Sequence, residues 1–158
     1  MARAGFYAVE SGKISLRRDG NWYSDDERID NPRIAELFSR SIRRNPDGSF
    51  YLQVAEERAS ITVEDTPYVV KSVAGDRGSG YIITTNANEF ERLDPSTLEV
   101  ASDNVLYCRI KDGEYRARFL RSAYYDLARS FEPDPQGGFA LTVAGKRYPI
   151  KTGGARPL

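Results

Sequence analysis

Apolar and polar positions alternate along most of this chain with the period of two expected of strands that bury one face. Residues 14–17 and Trp22-Tyr23 flank Asp19-Gly20, a pair that tolerates the positive φ of a tight turn, so the stretch predicts a β-hairpin. The period then changes. Ile34, Leu37, Phe38, Ser41 and Ile42 recur at helical spacing, Asn31 is placed to cap and Pro32 fits the first turn. Arg40, Arg43 and Arg44 follow where the helix dipole favours cations. A helix over 32–43 is predicted, with Trp22 packed against it. Pro46-Asp47-Gly48 turns into a strand over 50–55, which pairs through Glu56-Glu57-Arg58 with a strand over 60–64.

The later half repeats this succession. Residues 105–111, Asp112-Gly113 and 115–119 read as a second hairpin, 122–130 as a second helix, and Gly137-Gly138-Phe139-Ala140-Leu141 aligns with Gly48-Ser49-Phe50-Tyr51-Leu52. Between the copies lie strands over 68–73, 81–85, 90–93 and 98–101, which give the second lobe a longer, barrel-like sheet. The predicted fold is α+β: an N-terminal α+β lobe over 1–64, a C-terminal barrel-like α+β lobe over 65–151, and a frayed tail over 152–158. A hairpin-helix-hairpin unit is used in both lobes. Residues 61–70 form the seam, where a strand reaches Glu64 and Asp65 before leaving through Thr66-Pro67.

Charge and composition remove several function classes. Lys+Arg and Asp+Glu both number 23, with 10 of each before Ile61 and 13 of each from it onward. This balance lacks the basic excess that phosphate-backbone binding demands, so nucleic acid is not expected as a partner. There is one cysteine, Cys108, and there are no histidines, which excludes an intrachain disulfide and the usual ligands of zinc, copper and haem. No metal and no cofactor are expected. Residues 1–13 lack the apolar core of a signal peptide, and no run approaches a membrane span, so a cytoplasmic protein without membrane contact is expected.

Two constellations suggest chemistry. Arg116 and Arg118 alternate with Tyr115, Ala117 and Phe119, so on a strand they leave the face opposite the apolar one. Arg121 follows at the start of the second helix, whose free amides favour an anion. Pairing with carboxylates is the plainer account of all three. Glu64 and Asp65 can accept hydrogen bonds from a ligand, or can brace the lobes. Thr85 and Asn86 end a strand in turn-forming residues and can read a polar ligand, and Tyr125 can stack on a ring or a guanidinium. Gly75-Asp76-Arg77-Gly78-Ser79-Gly80 lacks the Lys-Ser/Thr ending of a phosphate loop and lies between strands, so a hairpin loop is expected. Cys108 shares a face with Leu106 and Ile110, which makes it a buried, inert thiol.

The segments ITVEDTP (61–67), TTN (84–86), RSAYYDL (121–127) and Tyr148-Pro149-Ile150 resemble, in order and spacing from Trp22 to Ile150, the bacterial domain-of-unknown-function family 1285. The resemblance implies two α+β domains with a repeated motif, a second domain like a pleckstrin-homology barrel, a ligand pocket between the domains, a nucleotide-like ligand and a role in signalling. Relatives approach the second helix through a glycine-led, more acidic stretch; here it is Arg116-Ala117-Arg118-Phe119-Leu120-Arg121. The leading expectation is a non-catalytic protein holding a small anionic, nucleotide-like ligand between its lobes. Arg116, Arg118 and Arg121 would meet the anion, Glu64, Asp65, Thr85 and Asn86 would orient polar groups, and Tyr125 would stack. The alternatives are a protein-protein interaction module without a ligand, and a hydrolase using Glu64 or Asp65 with a hard cation.

Overall fold

The computed structural model describes residues 13–153 and divides into two compact units. The first comprises Met1–Tyr68 with Asn86–Asn88, and the second Val69–Thr85 with Glu89–Leu158. Residues 1–12, on which the expectation about a leader rests, lie outside the described residues, as do 154–158 of the expected tail. Thr152 is not frayed; it is part of a strand.

In the first unit the chain forms β1 (Ile14–Leu16), β2 (Trp22–Ser24), β3 (Glu27–Arg28), helix α1 (Pro32–Arg40), β4 (Ile42–Arg44), β5 (Phe50–Val54) and β6 (Glu57–Val63). The six strands make one sheet in the order β3-β2-β1-β6-β5-β4. Every pairing is antiparallel except β1 with β6. Ile14, Leu16, Trp22, Phe38, Ile42 and Leu52 are buried in this unit. Trp22 sits edge-on to Phe38 with ring centroids 5.5 Å apart, and its indole Nε1 donates to Ser39 Oγ at 2.9 Å. The expected contact between Trp22 and the first helix is therefore present.

Helix α1 starts as its sequence dictates, with the Asn31 side chain accepting from the amides of Arg33 and Ile34. It ends at Arg40, three residues before the expected Arg43. The Ser41 hydroxyl donates back to Leu37 O at 2.6 Å, and Ile42 pairs with Leu52 in the sheet. Ile42 is buried, as its place in the apolar pattern required, but on a strand. The hairpin after β5 is tighter than expected as well. Val54 pairs with Glu57, leaving a two-residue loop in which Ala55 takes φ 53°, so Glu57 and Arg58 extend β6.

In the second unit follow β7 (Tyr68–Asp76), β8 (Gly80–Thr85), β9 (Phe90–Arg92), a 3-10 turn (Pro95–Thr97), β10 (Glu99–Val100), β11 (Leu106–Ile110), β12 (Tyr115–Phe119), helix α2 (Arg121–Ala128), β13 (Glu132–Pro133), β14 (Phe139–Val143), β15 (Lys146–Pro149) and β16 (Lys151–Thr152). Seven strands form a sheet in the order β16-β10-β11-β12-β7-β8-β9, and β13-β14-β15 form a separate one. The expected antiparallel barrel does not close among the described residues. β16 and β9 stand at opposite ends of the larger sheet, strands β13 to β15 pair among themselves, and β16 runs parallel to β10. Hairpin, helix and hairpin succeed one another in both units, yet the two hairpins share one sheet in the first unit and lie in different sheets in the second.

The glycine-rich stretch 75–80 closes the β7–β8 hairpin, as expected. The carboxylate of Asp76 accepts from the amides of Gly78 and Ser79 and from the Ser79 hydroxyl, at 2.8 to 3.0 Å. An anion is thus already built into this loop, which leaves it unsuited to a phosphate. The amide of Ser79, then its hydroxyl and the Gly78 amide, hold the Asp76 carboxyl below its ordinary value of 3.8. A depressed folded-state value means that the stabilisation is present above the ordinary value and lost as pH falls through the folded one. Asp76→Asn is accordingly expected to lessen the acid sensitivity of the protein, measured as the change in urea midpoint between about pH 5 and about pH 3.

Candidate anion-binding site

Cross-strand partners share a face of a sheet, and the register of β16-β10-β11-β12 collects charged side chains on one side. Lys151 pairs with Glu99, Glu99 with Tyr107, Tyr107 with Arg118, and two residues along, Arg109 with Arg116. The opposite side carries Leu106, Cys108, Ile110, Ala117 and Phe119, all buried. The alternation that burial imposes on β11 and β12 therefore forces four cations and one carboxylate onto a common surface.

A cavity of about 440 Å³ opens on this face, lined by Ser96, Thr97, Glu99, Tyr107, Cys108, Arg109, Arg116 and Lys151. Arg116 is its central group. The guanidinium lies 3.8 Å from the centroid of the Tyr107 ring and forms an ion pair with Glu99 Oε1 at 3.6 Å. Its side chain is only 21% exposed, and its buried Nη2 is the nitrogen that faces Glu99 Oε1, at a distance slightly longer than a hydrogen bond. The other cations are exposed and tethered to backbone: Lys151 Nζ donates to Ser96 O at 2.8 Å, and Arg109 Nη1 to Gly113 O at 3.2 Å.

The 3-10 turn forms another part of the lining. Asp94 caps it by accepting from the Ser96 amide and hydroxyl, the latter at 2.7 Å. Thr97 Oγ1 donates to Asp94 O and accepts from the Arg109 amide. The β16 backbone closes in beyond Lys151, where the Gly153 amide donates to Val100 O at 2.6 Å. A Cβ on Gly153 would stand 2.9 Å from Glu99 Oε2, so glycine leaves that carboxylate its space. Burial, with Glu91 and Asp94 adding to it, pushes the Cys108 thiol far above its ordinary range. It is neutral and 1% exposed, the inert thiol expected from its neighbours.

Of the residues singled out in the sequence, Arg116 lines the cavity and Arg118 shares its face on β12. Arg121 is the exposed first residue of α2, a helix with no side-chain cap at Leu120. Tyr125 lies one helical turn on, 57% exposed, its ring tilted against that of Tyr124 at 6.1 Å. Thr85 is buried at the end of β8. The others belong to the first unit. Glu64 accepts from the Arg18 amide at 2.9 Å and pairs with its guanidinium at 3.3 Å, both contacts within the first unit. Asp65 follows it, half-buried. Asn86 Nδ2 donates to Ser39 Oγ at 3.3 Å, while Asn88 Nδ2 donates to Glu36 Oε1 and Arg40 Nε to Ala87 O, so the 86–88 turn is tied to α1. Among the described residues no cluster of three or more acidic or cysteine side chains is arranged to hold a metal ion, and no helix is long and apolar enough to cross a membrane.

Glu99, Tyr107, Arg109 and Lys151, with Ser96 and Thr97, escaped the sequence reading. The alternation of β11 did carry part of the signal: placing Cys108 with Leu106 and Ile110 puts Tyr107 and Arg109 on the other face. Nothing local announced that Glu99 and Lys151 would pair beside them.

Residues 8–66 match the model of the N-terminal domain of the domain of unknown function DUF1285. This match and two solved structures support assignment of the chain to the DUF1285 family. A DUF1285 family protein from Silicibacter pomeroyi DSS-3 is 25% identical, with a TM-score of 0.67, over 89% of this chain and 80% of that one. A second DUF1285 structure, from Shewanella baltica OS155, is 18% identical with a TM-score of 0.62, over 78% of this chain and 95% of that one, and shows the shared fold. No curated protein matches the chain. The segment matched by the DUF1285 N-terminal domain ends at Thr66, so the cavity lies beyond it, in the second unit.

Proposed function

We propose that this DUF1285 protein is a non-catalytic binding protein that takes up a small anion in the cavity of its second unit. The observation that carries the reading is a polar cavity whose lining sets Arg116, Arg109 and Lys151 against a single carboxylate, Glu99. An oxyanion offsets the positive excess of this lining, and the planar fork of arginine suits carboxylate or phosphate in a way a neutral donor would not. The stack on Tyr107 and the pair with Glu99 fix the guanidinium before the ligand arrives, which lowers the ordering cost of binding. Binding without turnover fits the lining, whose side chains include no histidine, and in which Cys108 turns its thiol to the opposite, buried face of the sheet. It also fits a part in signalling, where occupancy is the message. Glu64, Asp65 and Asn86 have no role in this reading, which rests on residues of the second unit alone.

The test is thermal melting of the whole chain with inorganic phosphate, since a ligand that binds only the folded form raises the melting temperature. Millimolar phosphate is expected to raise it at constant ionic strength, and Arg116→Ala to lower phosphate affinity at least tenfold. No shift in the unaltered protein, or the same shift in Arg116→Ala, overturns the assignment and favours an interaction module.

A further inference from the structure

Resting on the anion-binding reading above, we infer that the ligand is a phosphorylated polyol, such as a sugar phosphate, in preference to a nucleotide. Three cations and one carboxylate line the cavity, a net charge of two positive, which a phosphate monoester dianion neutralises. The volume of about 440 Å³ falls within the range of small-ligand pockets and leaves room for a body attached to the phosphate. The chemistry of that body follows from the remaining lining. Tyr107 is the single aromatic residue there, and it is 2% exposed with the Arg116 guanidinium over its ring. A nucleobase would find no open aromatic face on which to stack.

The oxygens that line the cavity are acceptors. Ser96 spends its proton on Asp94 Oδ1 and Thr97 spends its proton on Asp94 O; Glu99 is a carboxylate placed at the Arg116 side. Acceptors call for donors on the ligand, and hydroxyl groups provide them without charge. An ammonium group would donate equally well, but it would add a positive charge to a cavity that already carries an excess. A phosphate offsets the positive excess of the three cations, and hydroxyls on the same molecule supply donors to the Glu99, Ser96 and Thr97 oxygens.

The experiment is calorimetric titration of the whole chain with inorganic phosphate, ribose 5-phosphate and adenosine 5′-monophosphate. Ribose 5-phosphate is expected to bind at least tenfold more tightly than inorganic phosphate, and the nucleotide no more tightly than ribose 5-phosphate. Glu99→Gln should strengthen inorganic phosphate binding by removing a repelling charge, and narrow the advantage of the sugar phosphate to less than threefold. Gly153→Ala, which crowds Glu99 without changing the charge, should narrow that advantage as well. Equal affinity for phosphate and ribose 5-phosphate, a nucleotide tenfold tighter than the sugar phosphate, or an advantage untouched in both variants overturns the polyol assignment while leaving the anion site standing. Failure of all three compounds to bind overturns the anion site itself. Should Arg116→Ala misfold, the exposed Lys151→Ala serves in its place and is expected to weaken all three.

Discussion

Trp22→Ala is expected to destabilise the first unit by about 3 to 5 kcal/mol, the range for deleting a large buried aromatic. Trp22 is 0% exposed and lies where β2 faces α1, edge-on to Phe38. Its removal opens a void in a sheet-and-helix unit with a small core, in which Ile14, Leu16, Phe38, Ile42, Leu52 and Tyr68 are the other large apolar side chains buried among the described residues. The loss also removes one of the two donors to the buried Ser39 hydroxyl, leaving it the Asn86 side-chain amide. Ser39→Ala separates the two effects. It keeps the ring contact and takes the acceptor from the indole Nε1, and with it the longer bond from Asn86, for about 1 to 3 kcal/mol. Urea unfolding followed by tryptophan fluorescence for Ser39→Ala, and by circular dichroism for Trp22→Ala, gives both values. A loss below about 1 kcal/mol for Trp22→Ala would refute the packing described for this unit.

Gly75→Ala is expected to cost the second unit about 2 to 5 kcal/mol, combining backbone strain with overpacking. Gly75 has φ 124°, a region all but closed to residues with a Cβ. A methyl there falls on the carbonyl oxygen of Gly80 and within 3.0 Å of Tyr81 Cα. Both atoms are backbone of the partner strand, so relief requires β8 to move. Gly48→Ala is the matched control. Its φ of 93° is also left-handed, but a methyl there meets nothing within 4 Å, so the strain appears without the collision. Guanidinium midpoints for the two variants should therefore differ, with Gly75→Ala the lower. Equal midpoints would mean that β7 and β8 do not pair as Gly75 with Tyr81.

The apolar pattern gave away the elements that neighbouring residues determine. The Asn31 cap, the Asp19-Gly20 turn, the strand Tyr115–Phe119 and the opposition of Arg116 and Arg118 to Ala117 and Phe119 all follow from local chemistry. The end of α1 was hidden because Ile42 satisfies a helical period and a strand equally well. What decides it is pairing with Leu52 and the Ser41 hydroxyl turned back on Leu37. The closure of the second sheet was hidden for a related reason, since alternation shows that a strand has two faces but not which strands meet. The cavity illustrates the same division. Arg116 stood out as a cation opposite an apolar face, whereas its partner Glu99 and its neighbour Lys151 come from short strands 17 and 35 residues away in sequence, joined by pairings that no local rule specifies.

The three residues Asn86–Asn88 belong with the first unit although the strands on either side of them belong with the second. They supply the carbonyl of Ala87 to Arg40 and the amide groups of Asn86 and Asn88 to Ser39 and Glu36. No single cut can therefore release the first unit with these hydrogen bonds complete unless β7 and β8 go with it. A fragment stopping where the recognised N-terminal segment stops would expose Arg40 and Ser39 to solvent with half their partners missing, and dissection of this protein calls for a graft of that tripeptide rather than a simple truncation.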